Sequence, residues 1–295
     1  MSSVQTIAAA FAGFVPLVAM PALAWFSAPA DLPRWACMWL IACAMYAGLK
    51  WLSWWDARSV RAPVWKHVAY LFAWPGMDAR AFLGNSSRCS SPTSREWLAA
   101  AIKFGCGAAL IWSVAPRVGH DNDWLFGWVA MFGLILFLHC GLFHLLSCAW
   151  RAIGVDARPL MNSPLLATGV SDFWGQRWNI AFRDLTHRFV FLPLTKRLGP
   201  KVALTVGFII SGLIHELAIT IPAQSGYGGP TIFFTIQAVA LFIERSARGR
   251  RLGLGRGFVG WAFAAVTLLV PINLLFPTAF VTEIIVPFCR AIGAG

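Results

Sequence analysis

Apolar residues run along this chain in blocks of about twenty, the length that carries an α-helix through a bilayer core, and not in the short alternating patterns of strands. The blocks fall at approximately 5–26, 35–55, 97–115, 124–149, 202–221, 229–244, 257–276 and 278–291. They predict an all-α, polytopic transmembrane helix bundle of about eight spans. The last two are separated only by the region of Phe276 and Pro277, so they also read as one broken helix. The stretch from Val64 to Trp74 is apolar but too short to cross, and reads as interfacial or re-entrant. No soluble domain, repeat or low-complexity tract interrupts the pattern, so residues 1–295 read as a single integral membrane domain.

The polar positions between the blocks are one-sided. The loop 56–96 holds Arg58, Arg61, Lys66, Arg80, Arg88 and Arg95, and the segment 150–201 holds eight more basic residues. A third loop, 245–256, holds Arg245, Arg248, Arg250, Arg251 and Arg256, so that 19 of the 24 Lys and Arg lie on one side. The opposite loops, 27–34, 116–123 and 222–228, hold only Arg34 and Arg117. Short cytoplasmic loops retain Lys and Arg, which orients the large loops toward the cytosol. Ala22-Leu23-Ala24 resembles a signal cleavage site, but no Lys or Arg precedes its apolar core, and a retained first span is expected. The second half of the loop 75–96 is rich in turn formers and is expected to be mobile.

Composition supports this class. Hydrophobic residues make up 58% of the chain and charged ones 12%, against about 25% charge in soluble domains. The sixteen Trp suit a protein with two bilayer interfaces. A net charge of +12 raises nucleic acid as a partner, yet the positive residues sit in loops between spans and not on one soluble face. Membrane lipid headgroups, or an anionic cytosolic substrate such as a coenzyme A thioester, fit them better. The seven Cys (37, 43, 89, 106, 140, 148 and 289) show no Cys-x-x-Cys and no metal spacing, and read as small buried hydrophobes. Oligomeric state is not legible.

Within the fifth block, Val202 to Ile221, one residue stands out. His215 and its neighbour Glu216 are costly in hydrocarbon, so they are expected to face a protein interior or a watered cavity and to be functional. From Val202 to His215 is thirteen residues, about 20 Å of helix, which takes the imidazole past the bilayer centre. Gly207, Ser211 and His215 share a helix face, where small residues leave space either for a substrate chain or for a closely packed helix. His215-Glu216 opens like a zinc-protease motif but continues Leu217-Ala218-Ile219-Thr220 with no second His, so no metal is expected. His139 and His144 are five apart and read as structural.

The cytoplasmic segment 171–185 is the second focus. Ser171 or Asp172 is placed to cap a helix whose stripe is Trp178, Phe182, Leu185 and Phe189, while Arg177, Asp184 and Arg188 lie elsewhere on the circumference. The spacing predicts an amphipathic helix lying at the membrane interface, its aromatics serving as membrane anchors or as substrate contacts. His187 follows Asn179 and Arg183 at helical spacing and suits a phosphate or headgroup.

Phe173-Trp174-Gly175-Gln176-Arg177-Trp178-Asn179, followed about thirty residues later by Ser211-Gly212-Leu213-Ile214-His215-Glu216-Leu217, resembles the wax-synthase-like branch of the membrane-bound O-acyltransferase (MBOAT) superfamily. Trp74-Pro75-Gly76-Met77-Asp78 resembles the same branch, and the likeness spans roughly residues 68–245. It implies an acyltransferase that joins an acyl group from acyl-CoA to a lipid or long-chain alcohol hydroxyl, with no cofactor beyond that co-substrate. In relatives the acceptor is a sterol, a diacylglycerol or a polysaccharide. It also implies His215 as catalytic base and Asn179 as a supporting residue. The chemistry is consistent: an alcohol is a poor nucleophile, and a neutral imidazole can take its proton as it attacks the thioester. Asn179 either donates to the developing oxyanion or orders its loop. Trp174, Arg177, Trp178, Arg183, Ser211 and Glu216 are the candidate substrate contacts. Gln237, Tyr227 and the Gly228-Gly229-Pro230 turn are weaker ones. The alternative from another class is a membrane transporter with a His215/Glu216 proton relay, although paired short, broken spans are missing from the pattern. A non-catalytic scaffold would leave the buried His without a reason.

Overall fold

The computed structural model describes residues 3–84 and 89–295, with side chains from residue 12 onward. Arg88, one of the basic residues of the 56–96 loop, lies outside them, as does part of the stretch expected to be mobile. The described residues are all-helical, with no strand. Five segments are long and apolar enough to cross a membrane: α2 (Arg34–Asp56), α5 (Ser94–Val118), α6 (Asp123–Ala152), α7 (Ile180–Ala223) and α10 (Gly257–Leu275). The architecture is that of an integral membrane protein. The chain also forms α1 (Ser3–Ser27), α3 (Val64–Ala73), α4 (Ala79–Leu83), α8 (Gly229–Arg245), α9 (Ala247–Leu252) and a helical stretch at 278–291, here α11. Of the other sequence blocks, α8 has 17 residues, about 25 Å of helix, and 278–291 is broken from α10 at Phe276 and Pro277.

Local chemistry explains the helix starts. Asp78 accepts the Ala81 N–H (3.0 Å) at the head of α4, Thr93 the Glu96 N–H (3.3 Å) at α5, and Asn122 the Leu125 N–H (3.0 Å) at α6. α1 packs along α2, α5 along α6, and α7 along α8. The main core gathers Met38, Ile111, Phe126, Phe233, Phe234 and Ile284. A second core joins Tyr70, Trp74 and Phe82 to Leu160 and Ala181 beneath the candidate site.

Three expectations change. The amphipathic helix over 171–185 is not continuous: helical turns cover Val170–Asp172 and Phe173–Arg177, Trp178 is extended, and a new helix starts at Ile180. Of the predicted stripe Leu185 is buried, joined by Ala181, while Trp178 stacks on Phe173 at 5.6 Å. The restart runs on through α7 to the kink at Gly199 (φ 80°) and Pro200, so most of 180–198 is helix and not loop. Finally, among the cysteines only Cys148 and Cys289 are buried, and Cys43 and Cys106 are exposed.

Candidate active site

His215 closes the regular part of α7, and a π-helical turn, Glu216–Thr220, follows at once. Such turns insert one residue into the helix and recur at functional sites. The His215 Nδ1 lies 2.7 Å from the Ser211 carbonyl oxygen. A carbonyl only accepts, so Nδ1 carries a proton, and in the neutral ring Nε2 is the nitrogen left to accept one. Ser211 spends its own hydroxyl on the Gly207 carbonyl at 2.9 Å, so it reaches His215 through its backbone. The close approach of the next helix occurs one residue beyond Ser211. A Cβ on Gly212 would stand 2.6 Å from the Thr231 Cα, whereas one on Gly207 meets only the Thr186 Cγ2 at 3.5 Å.

Asn179 sits at the break before α7 with φ 42° and ψ 59°. A left-handed backbone suits Asn better than most side chains. Its Oδ1 accepts the Phe182 N–H at 3.2 Å, capping the new helix, so the amide Nδ2 is the group it can present outward. The stretch 160–162 runs alongside and clamps the break: Ile180 N–H donates to the Leu160 carbonyl (2.9 Å), Asn162 N–H to the Arg177 carbonyl (2.8 Å), and Asn179 N–H points at the Met161 Sδ (3.2 Å). Arg177 reinforces it through Asp172 (2.7 Å) and the Ser163 carbonyl (3.2 Å). Burial works against ionised Asp172, but the Thr168 N–H and Arg177 outweigh it and hold the carboxyl below its usual range. Arg183 Nε lies 2.9 Å from the Asp184 carboxylate, and His187 stacks on Phe191.

α8 joins the two centres. Its buried stripe of Phe234, Gln237, Leu241 and Glu244 faces the 170–177 turns. Glu244 accepts the N–H groups of Val170 and Ser171. Gln237 accepts the Trp174 indole N–H at 3.4 Å, and the Trp174 ring packs on Phe208 and Phe234. Phe234 in turn lies 4.6 Å from the His215 ring. Trp174, Phe234 and His215 therefore form one contact chain. Among the described residues no hydrogen bond links Asn179 to His215.

Glu216 has a different occupation. Its carboxylate accepts from the Thr220 hydroxyl (2.6 Å), the Gly228 N–H (3.2 Å) and both the N–H and hydroxyl of Thr231 (3.1 and 2.9 Å). It caps the N-terminus of α8, where a negative charge is favoured. Sequence reasoning missed Glu244, which from the last turn of α8 accepts the Val170 and Ser171 N–H groups, although a carboxylate closing an apolar run was a visible signal.

Two cavities adjoin these elements. An apolar one of about 710 Å³ opens on the far face of α8, lined by Leu213, Ile232, Ile236, Val239 and Phe263. A polar one of about 460 Å³ is lined by Lys103, His144, Arg151, Arg158, Asn162 and Ile180, and so borders the Asn179 break. Glu96 and His144 of its lining and the buried Cys148 behind them bring ligand atoms within 4.8 Å of one another. Arg151 donates to both Glu96 and Cys148, so a guanidinium already neutralises the position a metal would take. His144 contacts Glu96 at 3.3 Å, and His139 packs on Phe143.

Residues 157–236, which hold both Asn179 and His215, match the Membrane bound O-acyl transferase family. The chain is 33% identical over 105 residues to a probable long-chain-alcohol O-fatty-acyltransferase of Arabidopsis thaliana, covering 32% of this chain and 31% of that protein. It is 31% identical over 139 residues to the long-chain-alcohol O-fatty-acyltransferase of Simmondsia chinensis, covering 39% and 40%. With an acyl-CoA–sterol O-acyltransferase of Arabidopsis thaliana it shares 36% identity over 79 residues, 24% of this chain and 23% of the relative. The chain thus spans less than half the length of these curated relatives. Over the segment that carries the Trp-Asn break and the His215 helix, the chain is similar to the membrane-bound O-acyltransferases, and to their wax-synthase-like branch in particular.

Proposed function

We propose that this protein transfers an acyl group from acyl-CoA to the hydroxyl of a lipid or long-chain alcohol, with His215 as general base. The observation that carries the reading is the Ser211 carbonyl on His215 Nδ1, inside the segment shared with acyltransferases. It leaves Nε2 to accept the alcohol proton as the alcohol oxygen attacks the thioester carbonyl. The tetrahedral oxyanion then collapses, the C–S bond breaks, and the imidazolium returns the proton to the leaving thiolate. Asn179, its Oδ1 held by Phe182, offers Nδ2 to the oxyanion, a kind of contact worth about 3 kcal/mol. Trp174, packed on Phe234 beside His215, and Trp178, next to Asn179 in the chain, are the aromatic side chains this reading gives to the acyl chain. Arg177 and Arg183 serve the donor side, Arg177 chiefly by holding the break together. Ser211 acts through its carbonyl. Glu216, with its acceptors in use, fixes the end of the His215 helix against α8.

The polar cavity beside Asn179 is the seat this reading gives the donor's phosphates: three cations, Lys103, Arg151 and Arg158, line it against two carboxylates, Glu96 and Asp156. In this reading the basic loops face the cytosol, the 170–191 segment lies at the interface, and α1, α8 and α11 complete the five long segments to about eight crossings. A proton relay is disfavoured because Glu216 is committed to α8. Purified protein in detergent or liposomes is expected to release free CoA thiol from a long-chain acyl-CoA only when a long-chain alcohol is added, with ester formed in equal amount. A transporter would release none.

A further inference from the structure

We infer that Gln237 is a positioning residue for His215, an inference that rests on the acyl-transfer reading above. An amide in the middle of an apolar helix is expensive unless every polar atom has a partner. Gln237 is completely buried, and both ends of its amide are engaged. Nε2 donates to the Thr267 carbonyl at 2.8 Å, and Oε1 accepts from the Trp174 indole. Thr267 has a carbonyl to spare for a reason written in the sequence. The helical partner of that carbonyl would be the N–H of residue 271, which is proline and has none. Gln237 thus fills the vacancy created by the Pro271 break in α10 and uses its other end to hold Trp174.

The consequence reaches the imidazole through packing. Trp174 lies edge-on to Phe208 (6.0 Å) and tilted on Phe234 (5.5 Å), and Phe234 covers one face of His215. Nδ1 of His215 is pinned from one side by Ser211, and the aromatic wall blocks the ring from turning on the other. Removing the latch orphans the indole N–H and frees Trp174 to shift, which changes where Nε2 points. Gln237 touches no reacting atom in this arrangement. Its effect is geometric.

The test is a double-mutant cycle of Gln237→Met and Trp174→Phe, assayed with palmitoyl-CoA and hexadecanol per mole of folded protein. Each single variant is expected to lower kcat by about tenfold or more, in line with the cost of small misplacements remote from the chemistry, with KM for palmitoyl-CoA little changed. The double variant is expected to be no slower than the slower single, because both remove one interaction. Thermal stability should part from activity: Gln237→Met loses stability, and adding Trp174→Phe restores part of it by removing the orphaned donor while kcat stays low. A purely structural Gln237 would leave the kcat of Gln237→Met at the wild-type value once corrected for folded protein, and that result overturns the inference whatever Trp174→Phe does on its own. If the wild-type chain transfers no acyl group, the acyl-transfer reading fails instead. His215 carbethoxylation by diethyl pyrocarbonate, followed by mass spectrometry, then decides the inference alone. A severalfold faster reaction in Gln237→Met supports the latch, and an unchanged rate overturns it.

Discussion

At the scale of single residues, three side chains divide labour in ways that substitutions can separate. Asn179 combines a left-handed backbone, a cap and an amide donor. Asn179→Asp keeps the first two and replaces the donor with a second acceptor, so near-native stability is expected with kcat reduced by about 10²-fold, the range of lost oxyanion donors. Equal losses of stability and turnover would make Asn179 a loop-ordering residue only. Glu216→Gln replaces an acceptor oxygen with a donor nitrogen facing donors, so a thermal stability loss of about 1–3 kcal/mol is expected, with turnover per folded molecule retained. Turnover that falls while the melting temperature holds would return Glu216 to the chemistry. Asp172 gives a pH test. Its folded pKa is depressed, so its stabilisation is complete above the unfolded value of about 3.9 and fades as pH falls through the folded value. The melting-temperature gap between wild type and Asp172→Asn should be constant above about pH 5 and close below about pH 4. A gap that persists in acid would rule out the ionised Asp172–Arg177 pair as its source.

At the scale of elements, α7 and α8 meet where glycine permits it. Gly212→Ala forces a methyl group into the backbone of α8 and is expected to destabilise strongly, while Gly207→Ala should be neutral or stabilising, since only Thr186 stands near. Thermal unfolding of the two variants checks this ranking, and similar melting temperatures would contradict the packing. The small-residue face of Gly207, Ser211 and His215 was legible from spacing, yet it pointed to Gly207, and the tight contact lies a quarter turn away. Long apolar runs made the crossing helices legible, and His215 was conspicuous because its surroundings were so apolar. The interruption at Trp178 and Asn179 was hidden because Phe182 and Leu185 keep helical spacing across it. Gln237 and Glu244 read as minor or unremarkable residues, since their partners, Thr267 and Val170, are 30 and 74 positions away in the chain. Pro271 carried a clue, because a proline always frees a carbonyl one turn earlier.

For the whole molecule, two claims remain open to direct measurement. The proposed topology puts α9 in the cytosol, and Arg248 on it is exposed. Arg248→Cys should resist an impermeant thiol reagent in intact cells and react in inside-out vesicles, measured against the parent chain; labelling from outside would invert the topology. Cys89 is a poorer reporter than its loop suggests, because its thiol is partly buried against the Val155 carbonyl at 3.3 Å. The central claim is that an intramembrane imidazole, its tautomer set by Ser211, performs acyl transfer. Its most direct test is the turnover of His215→Ala with palmitoyl-CoA and hexadecanol, compared with wild type at matched expression and melting temperature. A loss of about 10²-fold to 10⁴-fold is expected for removal of a general base. Retention of wild-type turnover by a folded His215→Ala protein would contradict the account.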